Sequence, residues 1–333
     1  MNQLATARFR PETMNIELTT ICPLRCPQCY CSLSGGKVIN PQAAVHWIEE
    51  GGKSGVKNVM LSGGETLCYP YLLDVVSAAA KCCVTANVAL SGFGFTERAL
   101  DSLVGAGVGG IFISLNGSTE EINSLTRDGF SLAVSALGIL KESGYPNTWI
   151  NWVMHSSNAC DFLNVVALAE EYSVKSLVVM AAKPDSSHQL ATAPTRAQML
   201  SISQTIKTYK GNARIYVEEC FSPMLALVKD TKLFGNFNTG ENKGCMAGRS
   251  SFCVNVDGML SPCRHLDYFE KFERLDDYWN NSEILSQIRE AENSKEEPCV
   301  SCRFGDYCRP CLAMNSKMKG GLFFGHDTCS LQQ

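Results

Sequence analysis

Between Asn15 and Pro184, short runs of β-branched and apolar residues alternate with longer stretches whose apolar positions recur at helical spacing. The strand-like runs are NIELTT (15–20), VKNVMLS (56–62), VTANVALS (84–91), GIFISL (110–115), TWINWVM (148–154) and VKSLVVMAA (174–182). Helical patterns fill 40–54, 68–81, 95–105, 117–143 and 159–172. Six strands separated by helices pair in parallel through βαβ crossovers. The expected fold class is therefore α/β, a partial (β/α)6 TIM-like barrel whose functional residues follow the C-terminal strand ends. Two more helical patterns, at about 194–210 and 219–234, form a bridge to a cysteine-rich C-terminal segment. The expected divisions are 1–190 for the barrel, 191–242 for the bridge and 243–333 for the C-terminal domain.

Composition narrows the function classes. With 29 Lys+Arg against 33 Asp+Glu the net charge is −4, and no basic run of the kind that tracks phosphates is present, which argues against nucleic acid as a partner. No stretch reaches the ~20 apolar residues that span a bilayer. The first residues, MNQLATARFRPETMN, lack an apolar signal core, so the expected location is the cytoplasm, with no membrane partner. Disulfides are rare in that reducing compartment, so the 17 cysteines are read first as metal ligands.

The first cysteine group directly follows the first strand: Cys22-Pro-Leu-Arg-Cys26-Pro-Gln-Cys29, a Cys-x3-Cys-x2-Cys loop. Three thiolates on one short loop can hold three irons of a cubane and leave the fourth iron open to a substrate or cofactor. The alternative is a zinc site, but structural zinc wants four ligands, and Cys31 follows too closely to serve comfortably. A Ser62-Gly63-Gly64-Glu65-Thr66 segment follows the second strand. There, glycines allow a close backbone approach and a carboxylate can accept from an ammonium. The fourth strand ends in Ser114-Leu-Asn116-Gly117, with Arg127-Asp-Gly129-Phe130 beyond it.

These motifs resemble the radical S-adenosylmethionine (SAM) superfamily. The resemblance implies a 4Fe-4S cluster on Cys22, Cys26 and Cys29, and SAM held by Gly63, Gly64, Glu65, Ser114, Asn116 and Arg127. Asn151, Asn158 and the backbone near Met180 match positions that contact ribose and adenine in relatives. The chain departs from the family pattern in two places: Gln28 stands where an aromatic residue is usual, and Asn116 where aspartate is usual. Tyr30 could compensate for the first. Arg127 also reads as an ordinary solvated helix residue.

The last ninety residues carry Cys245-x12-Gly258-x4-Cys263, then Cys299-x2-Cys302-x5-Cys308-x2-Cys311, and Cys329. This resembles the SPASM domain, which binds two auxiliary 4Fe-4S clusters, although the last pair here is one residue closer than usual. The resemblance assigns Cys299, Cys302, Cys308 and Cys329 to an outer cluster, and Cys245, Cys263 and Cys311 to an inner one. Cys253, on the first strand of the apparent hairpin SFCVNVDGMLSPC turning at Asp257-Gly258, is either the inner cluster's fourth ligand or a core residue. A zinc ribbon is the alternative for two Cys-x2-Cys pairs. Cysteines 31, 68, 82, 83, 160 and 220 belong to no motif and read as small core hydrophobes.

The implied cofactors are three 4Fe-4S clusters and SAM. The implied reaction is reductive SAM cleavage to a 5′-deoxyadenosyl radical, hydrogen abstraction from a ribosomally made peptide and net oxidation to a crosslink. A reductant such as flavodoxin or ferredoxin would supply the first electron. Sulfatase maturases place aspartate where Arg264 stands, so a peptide-crosslinking enzyme is preferred to that reading, to an epimerase or to a small-molecule dehydrogenase. A non-enzymatic electron carrier or zinc scaffold would make the Gly-Gly-Glu and Arg-x-Gly segments coincidental. About fourteen residues precede the first strand, so a leader-bearing peptide would need a separate leader-binding protein or would dock at the barrel mouth.

Overall fold

The computed structural model describes residues 9–31, 36–183, 193–228, 244–291, 296–302, 308–319 and 329. All six expected strands form: β1 (Thr13–Thr19), β2 (Asn58–Gly63), β3 (Thr85–Leu90), β4 (Gly110–Ser114), β5 (Thr148–Met154) and β6 (Ser176–Ala181). They lie side by side in sequence order, and every neighbouring pair is parallel. Period-two alternation sorts each strand into two faces. Ile150 and Trp152 of β5 and Leu177 and Val179 of β6 have no exposure and join one core with the surrounding helices. Asn151 and Val153, and Val178 and Met180, face the other way and line a cavity.

The helices between the strands are α1 (Pro41–Ser54), α2 (Leu72–Lys81), α3 (Glu97–Ala106), α4 (Glu120–Ser124), α5 (Phe130–Glu142) and α6 (Phe162–Glu171). α1 begins at Asn40, whose Oδ1 accepts from the Gln42 and Ala43 amides at 2.9 and 3.2 Å, with Pro41 at the first helical position. α2 buries Leu72, Val75, Val76 and Ala79, the i, i+3, i+4, i+7 stripe of a helix on a sheet. The pattern at 117–143 reads as one helix but forms two. The chain leaves α4 at Leu125 and re-enters at Gly129, whose φ of +80° cannot continue a right-handed helix.

Beyond β6 come α7 (Arg196–Thr208), β7 (Arg214–Val217) and α8 (Ser222–Val228). α7 matches the first bridging helix and starts with a Thr195/Gln198 capping box. β7 was not legible as a strand: it is four residues long and its first is an exposed arginine, yet it extends the sheet in parallel beside β6. The expected divisions at 190/191 and 242/243 lie outside the described residues.

The predicted hairpin forms as β8 (Ser251–Val254) and β9 (Leu260–Ser261), antiparallel to each other. β8 also pairs in parallel with β1, so the sheet runs β7-β6-β5-β4-β3-β2-β1-β8-β9 among the described residues. α9 (Leu275–Asn281), α10 (Glu283–Glu290) and α11 (Leu312–Lys319) complete the described elements. Among the described residues, no helix is long and apolar enough to cross a membrane.

Trp152 ties these layers together: it is fully buried, packs on Phe162 with ring centroids 5.0 Å apart, and its Nε1–H donates to the Asn116 carbonyl at 3.0 Å. Trp152→Ala should lower the unfolding free energy by about 3–5 kcal/mol in anaerobic denaturant titrations. A loss under about 1 kcal/mol would show that this face does not anchor the core.

Candidate functional site

A cavity of about 570 Å³ opens along the inner face of the sheet. Cys22, Cys26 and Cys29 line it, on the loop that leaves β1. The end of β2 pins the root of that loop. The Gly64 amide donates to the Thr19 carbonyl at 2.6 Å, and the Glu65 amide to the Ile21 carbonyl at 2.8 Å. A Cβ on Gly63 or Gly64 would lie 2.3 Å from the Thr19 or Ile21 carbonyl oxygen, respectively. The two glycines are therefore demanded by chain-on-chain contact, and they also line the cavity.

The far side of the loop docks on the segment between α4 and α5. The Arg25 amide donates to Asp128 Oδ2 at 2.7 Å, the Gln28 amide donates to the Thr126 carbonyl at 3.1 Å, and the Asp128 amide donates to Cys26 Sγ. Burial raises the Cys26 thiol above its usual range, and nearby Arg127 opposes that shift. Burial likewise raises Cys22, against a hydrogen bond from the Leu24 amide. Cys31 donates its thiol to the Gly63 carbonyl at 3.2 Å. Its contact with Cys29 and its burial hold it well above the usual thiol range, so it stays protonated.

Of the residues expected at SAM, Gly63, Gly64, Ser114, Arg127, Asn151 and Met180 line the cavity. Arg127 Nε–H donates to the Ser114 carbonyl at 3.1 Å. Glu65, Asn116 and Asn158 stand behind the wall, each at most 1% exposed. Glu65 accepts from the Leu67 amide at 3.2 Å and from both the amide and hydroxyl of Ser91; burial raises its carboxyl above the usual range. Asn116 Nδ2–H donates to Gln28 Oε1 and Thr126 Oγ1, and its Oδ1 accepts from the Val153 amide. Asn158 Nδ2–H donates to the carbonyls of Asn116 and Val153, and its Oδ1 accepts from the His155 amide.

Gln28, in the position usually aromatic, is therefore a node of a buried polar network. Its Oε1 also lies 2.6 Å from His155 Nε2. Burial lowers the His155 pKa to about 4, so the ring is neutral near pH 7 and donates from Nε2. His155 went unnoticed in sequence because its role depends on a partner 127 residues away.

Cys245, Cys263 and Cys311 line the same cavity, joined by Cys220. Cys245 is lowered from the usual thiol range by the Cys311 thiol and by the Leu312 and Ala247 amides, whereas Cys311 is raised. Cys308 is gathered with Cys329, Cys299 and Cys302, and burial lifts its thiol to about 12. Cys253 is 1% exposed on β8, outside the cavity lining. Among the described residues, no three His, Cys, Asp or Glu side chains converge tightly enough to hold a single metal ion.

Further polar groups line the cavity, and of these Lys183, Glu218 and His265 had no place in the sequence reading. Arg264 lies over the Tyr30 ring at 4.7 Å and donates to Ser62 Oγ at 3.3 Å, while Tyr30 packs on His265 at 4.4 Å. Lys183 and Glu218 form a part-buried ion pair at 2.8 Å. Burial opposes charge on Glu218, but Lys183 holds it below the usual carboxylate range. Lys183 follows β6, where the strand-end rule already pointed, and Glu218 follows β7, so that rule would have flagged it had β7 been legible.

A parallel partial barrel with this loop over its strand ends defines a radical SAM fold, and residues 16–169 match the Radical SAM superfamily model. That match covers the barrel, which is similar to a radical SAM domain over those residues. The chain is 28% identical over 88% of its length to a PqqA peptide cyclase of Ruegeria pomeroyi, covering 79% of that protein. A PqqA peptide cyclase of Gluconobacter oxydans is 25% identical over the same share, with 82% of it covered. Among solved structures, Streptococcus suis SuiB bound to precursor peptide SuiA superposes with a TM-score of 0.76 at 16% identity, covering 96% of this chain and 76% of that one. Native anSMEcpe with bound AdoMet and Cp18Cys peptide gives 0.74 at 15% identity, covering 96% and 94%. At these identities the structures establish the shared fold.

Gly64→Ala should push the cysteine loop off β2, because the new methyl meets backbone rather than a yielding side chain. Anaerobic reconstitution of that variant should fall short of the parent by one cubane, about four irons. Gly105→Ala, with nothing within 4 Å, should match the parent. Full iron in Gly64→Ala would refute the role assigned to this contact.

Proposed function

We propose that this enzyme oxidatively crosslinks a ribosomally made, leader-bearing peptide. The observation that carries the reading is a single cavity lined both by Cys22, Cys26 and Cys29 and by Cys245, Cys263 and Cys311. The names of the two cyclase relatives and the SuiB complex with a precursor peptide support a peptide substrate.

Cys22, Cys26 and Cys29 would hold a 4Fe-4S cluster with one iron open to SAM, and Gly63, Gly64, Ser114, Arg127, Asn151 and Met180 form the wall against which SAM would lie. Glu65, Asn116 and Asn158 act by fixing the backbone of that wall. Cys245, Cys263 and Cys311 would hold an inner auxiliary cluster, and Cys299, Cys302, Cys308 and Cys329 an outer one. When bound, these groups supply a deoxyadenosyl radical for hydrogen abstraction and an acceptor for the electron that a net oxidation releases.

The chain's own residues orient the peptide and manage its proton. Lys183, Glu218 and Arg264 present fixed charges along the cavity that both cysteine sets line. Glu219 lines the same wall, and burial and the adjacent Glu218 push its carboxyl above the usual range, which suits it to take up the released proton. Arg264 replaces the aspartate expected of a sulfatase maturase. The first electron would come from a flavodoxin or ferredoxin in the cytoplasm, where the thiols stay reduced. A separate protein could present the leader.

The test uses the full chain reconstituted anaerobically, with SAM, dithionite and a short peptide encoded beside its gene. The peptide should become lighter by two hydrogen atoms. An unchanged mass with one solvent-derived deuterium would identify epimerisation and overturn the crosslinking reading. Replacing Cys22, Cys26 and Cys29 together with Ala should remove about four of about twelve irons and all deoxyadenosine formation. Deoxyadenosine from that triple variant would refute the radical-forming site.

A further inference from the structure

The inner cysteine set has a fourth member that no motif marks. Cys220 lies in the turn between β7 and α8, where the Phe221 amide donates to the Glu218 carbonyl at 2.9 Å. Its side chain lines the cavity together with Cys245, Cys263 and Cys311, and it packs into the same small apolar cluster as those three. Its thiol is within hydrogen-bonding contact of Cys311, which in turn contacts Cys245.

This convergence is built into the backbone. The Arg309 carbonyl accepts from the Ser222 hydroxyl and from the Cys245 amide, so one oxygen ties together the segments bearing Cys220, Cys245 and Cys311. Gly244 is required there: a Cβ on it would sit 2.1 Å from that same oxygen and 2.7 Å from Ser222 Oγ. Cys253 lies near Cys263 but outside the cavity lining. It is paired with Asn15 of β1 and Ser261 of β9, belongs to neither the cavity lining nor the apolar cluster, and is sealed at 1% exposure.

We infer that Cys220, and not Cys253, is the fourth thiolate ligand of the inner auxiliary cluster, which therefore has no open iron. The inference rests on the auxiliary-cluster reading given above. Cys220 would lose its thiol proton on binding iron, as each cluster thiolate does. With all four corners occupied by cysteine, the cluster would have no site for substrate to bind, which suits an electron acceptor and not a substrate-activating centre.

The test uses the full chain carrying Cys22→Ala, Cys26→Ala and Cys29→Ala, so that only the C-terminal sites load, to about eight irons. In that background Cys220→Ala should leave one iron of the inner cluster without a thiolate. Ferricyanide should then release about one iron per chain and produce the EPR signal of an oxidised three-iron cluster. Cys253→Ala should keep its iron and the parent spectrum. Cys220→Ser, whose oxygen can still ligate, should keep its iron with a shifted EPR spectrum of the reduced cluster, showing that the fold survives substitution. A Cys220→Ala spectrum identical to the parent, or iron release from Cys253→Ala instead, overturns the assignment. A parent triple variant that binds no iron overturns the auxiliary-cluster reading itself, a result distinguishable from either of those.

Discussion

The contact between Gly63-Gly64 and the root of the cysteine loop governs the rest of the site. β2 ends where β1 has just released its chain, and two amide-to-carbonyl hydrogen bonds bring the two backbones closer than any side chain would permit. Loops of this length have many conformations, and ordering each residue costs about 1–2 kcal/mol of backbone entropy. Tying the root at two points, and the far side to Asp128 and Thr126, removes most of that freedom before any cluster binds. The thiols of Cys22, Cys26 and Cys29 are then presented to the cavity as a fixed set.

The second constraint is the pairing of β8 with β1. Ser250 receives the amides of Glu12 and Thr13, and α1 reaches the C-terminal segment through Trp47 Nε1–H to the Gly258 carbonyl at 3.1 Å. Lys37 pairs with Asp257 at 2.9 Å, and the Leu275 amide donates to Glu50 Oε2 at 3.3 Å. The strand pairing and the Trp47 contact matter most, because exposed ion pairs contribute little. The two cysteine sets thus share a cavity through sheet continuity, which fixes their separation more firmly than a hinge between independent domains would.

Charge in the cavity is arranged in pairs. Arg264, held protonated with Tyr30, Cys31, Glu17 and Glu218 around it, faces both Ser62 beside the glycines and His265 beside Cys263. Burial disfavours both charges of Lys183 and Glu218, but each favours the other's charged form. The network around Gln28 is neutral by contrast: its amide and the uncharged His155 ring satisfy each other without bringing a charge beneath the first cysteine loop.

The barrel was legible because strand alternation and helix periodicity are local and were unbroken from 15 to 182. The Cys-x3-Cys-x2-Cys loop was legible for the same reason, as its three cysteines are neighbours in sequence. The break at 125–129 was not, because Arg127 and Asp128 are pulled out of helix by contacts to Ser114 and Arg25 that periodicity does not encode. β7 was lost through brevity, and with it the roles of Glu218 and Cys220. Glycines 63 and 64 were recognised, but their reason, chain against chain, needed coordinates. The motif marks Glu65, Asn116 and Asn158, but that each is at most 1% exposed is a matter of tertiary packing, which the motif does not encode. Sequence determined which chemistry the chain carries, because ligand type and spacing are written locally. Only tertiary structure decided which cysteines face one another, because Cys220, Cys245, Cys263 and Cys311 meet through strand pairing and a shared carbonyl across 91 positions of chain.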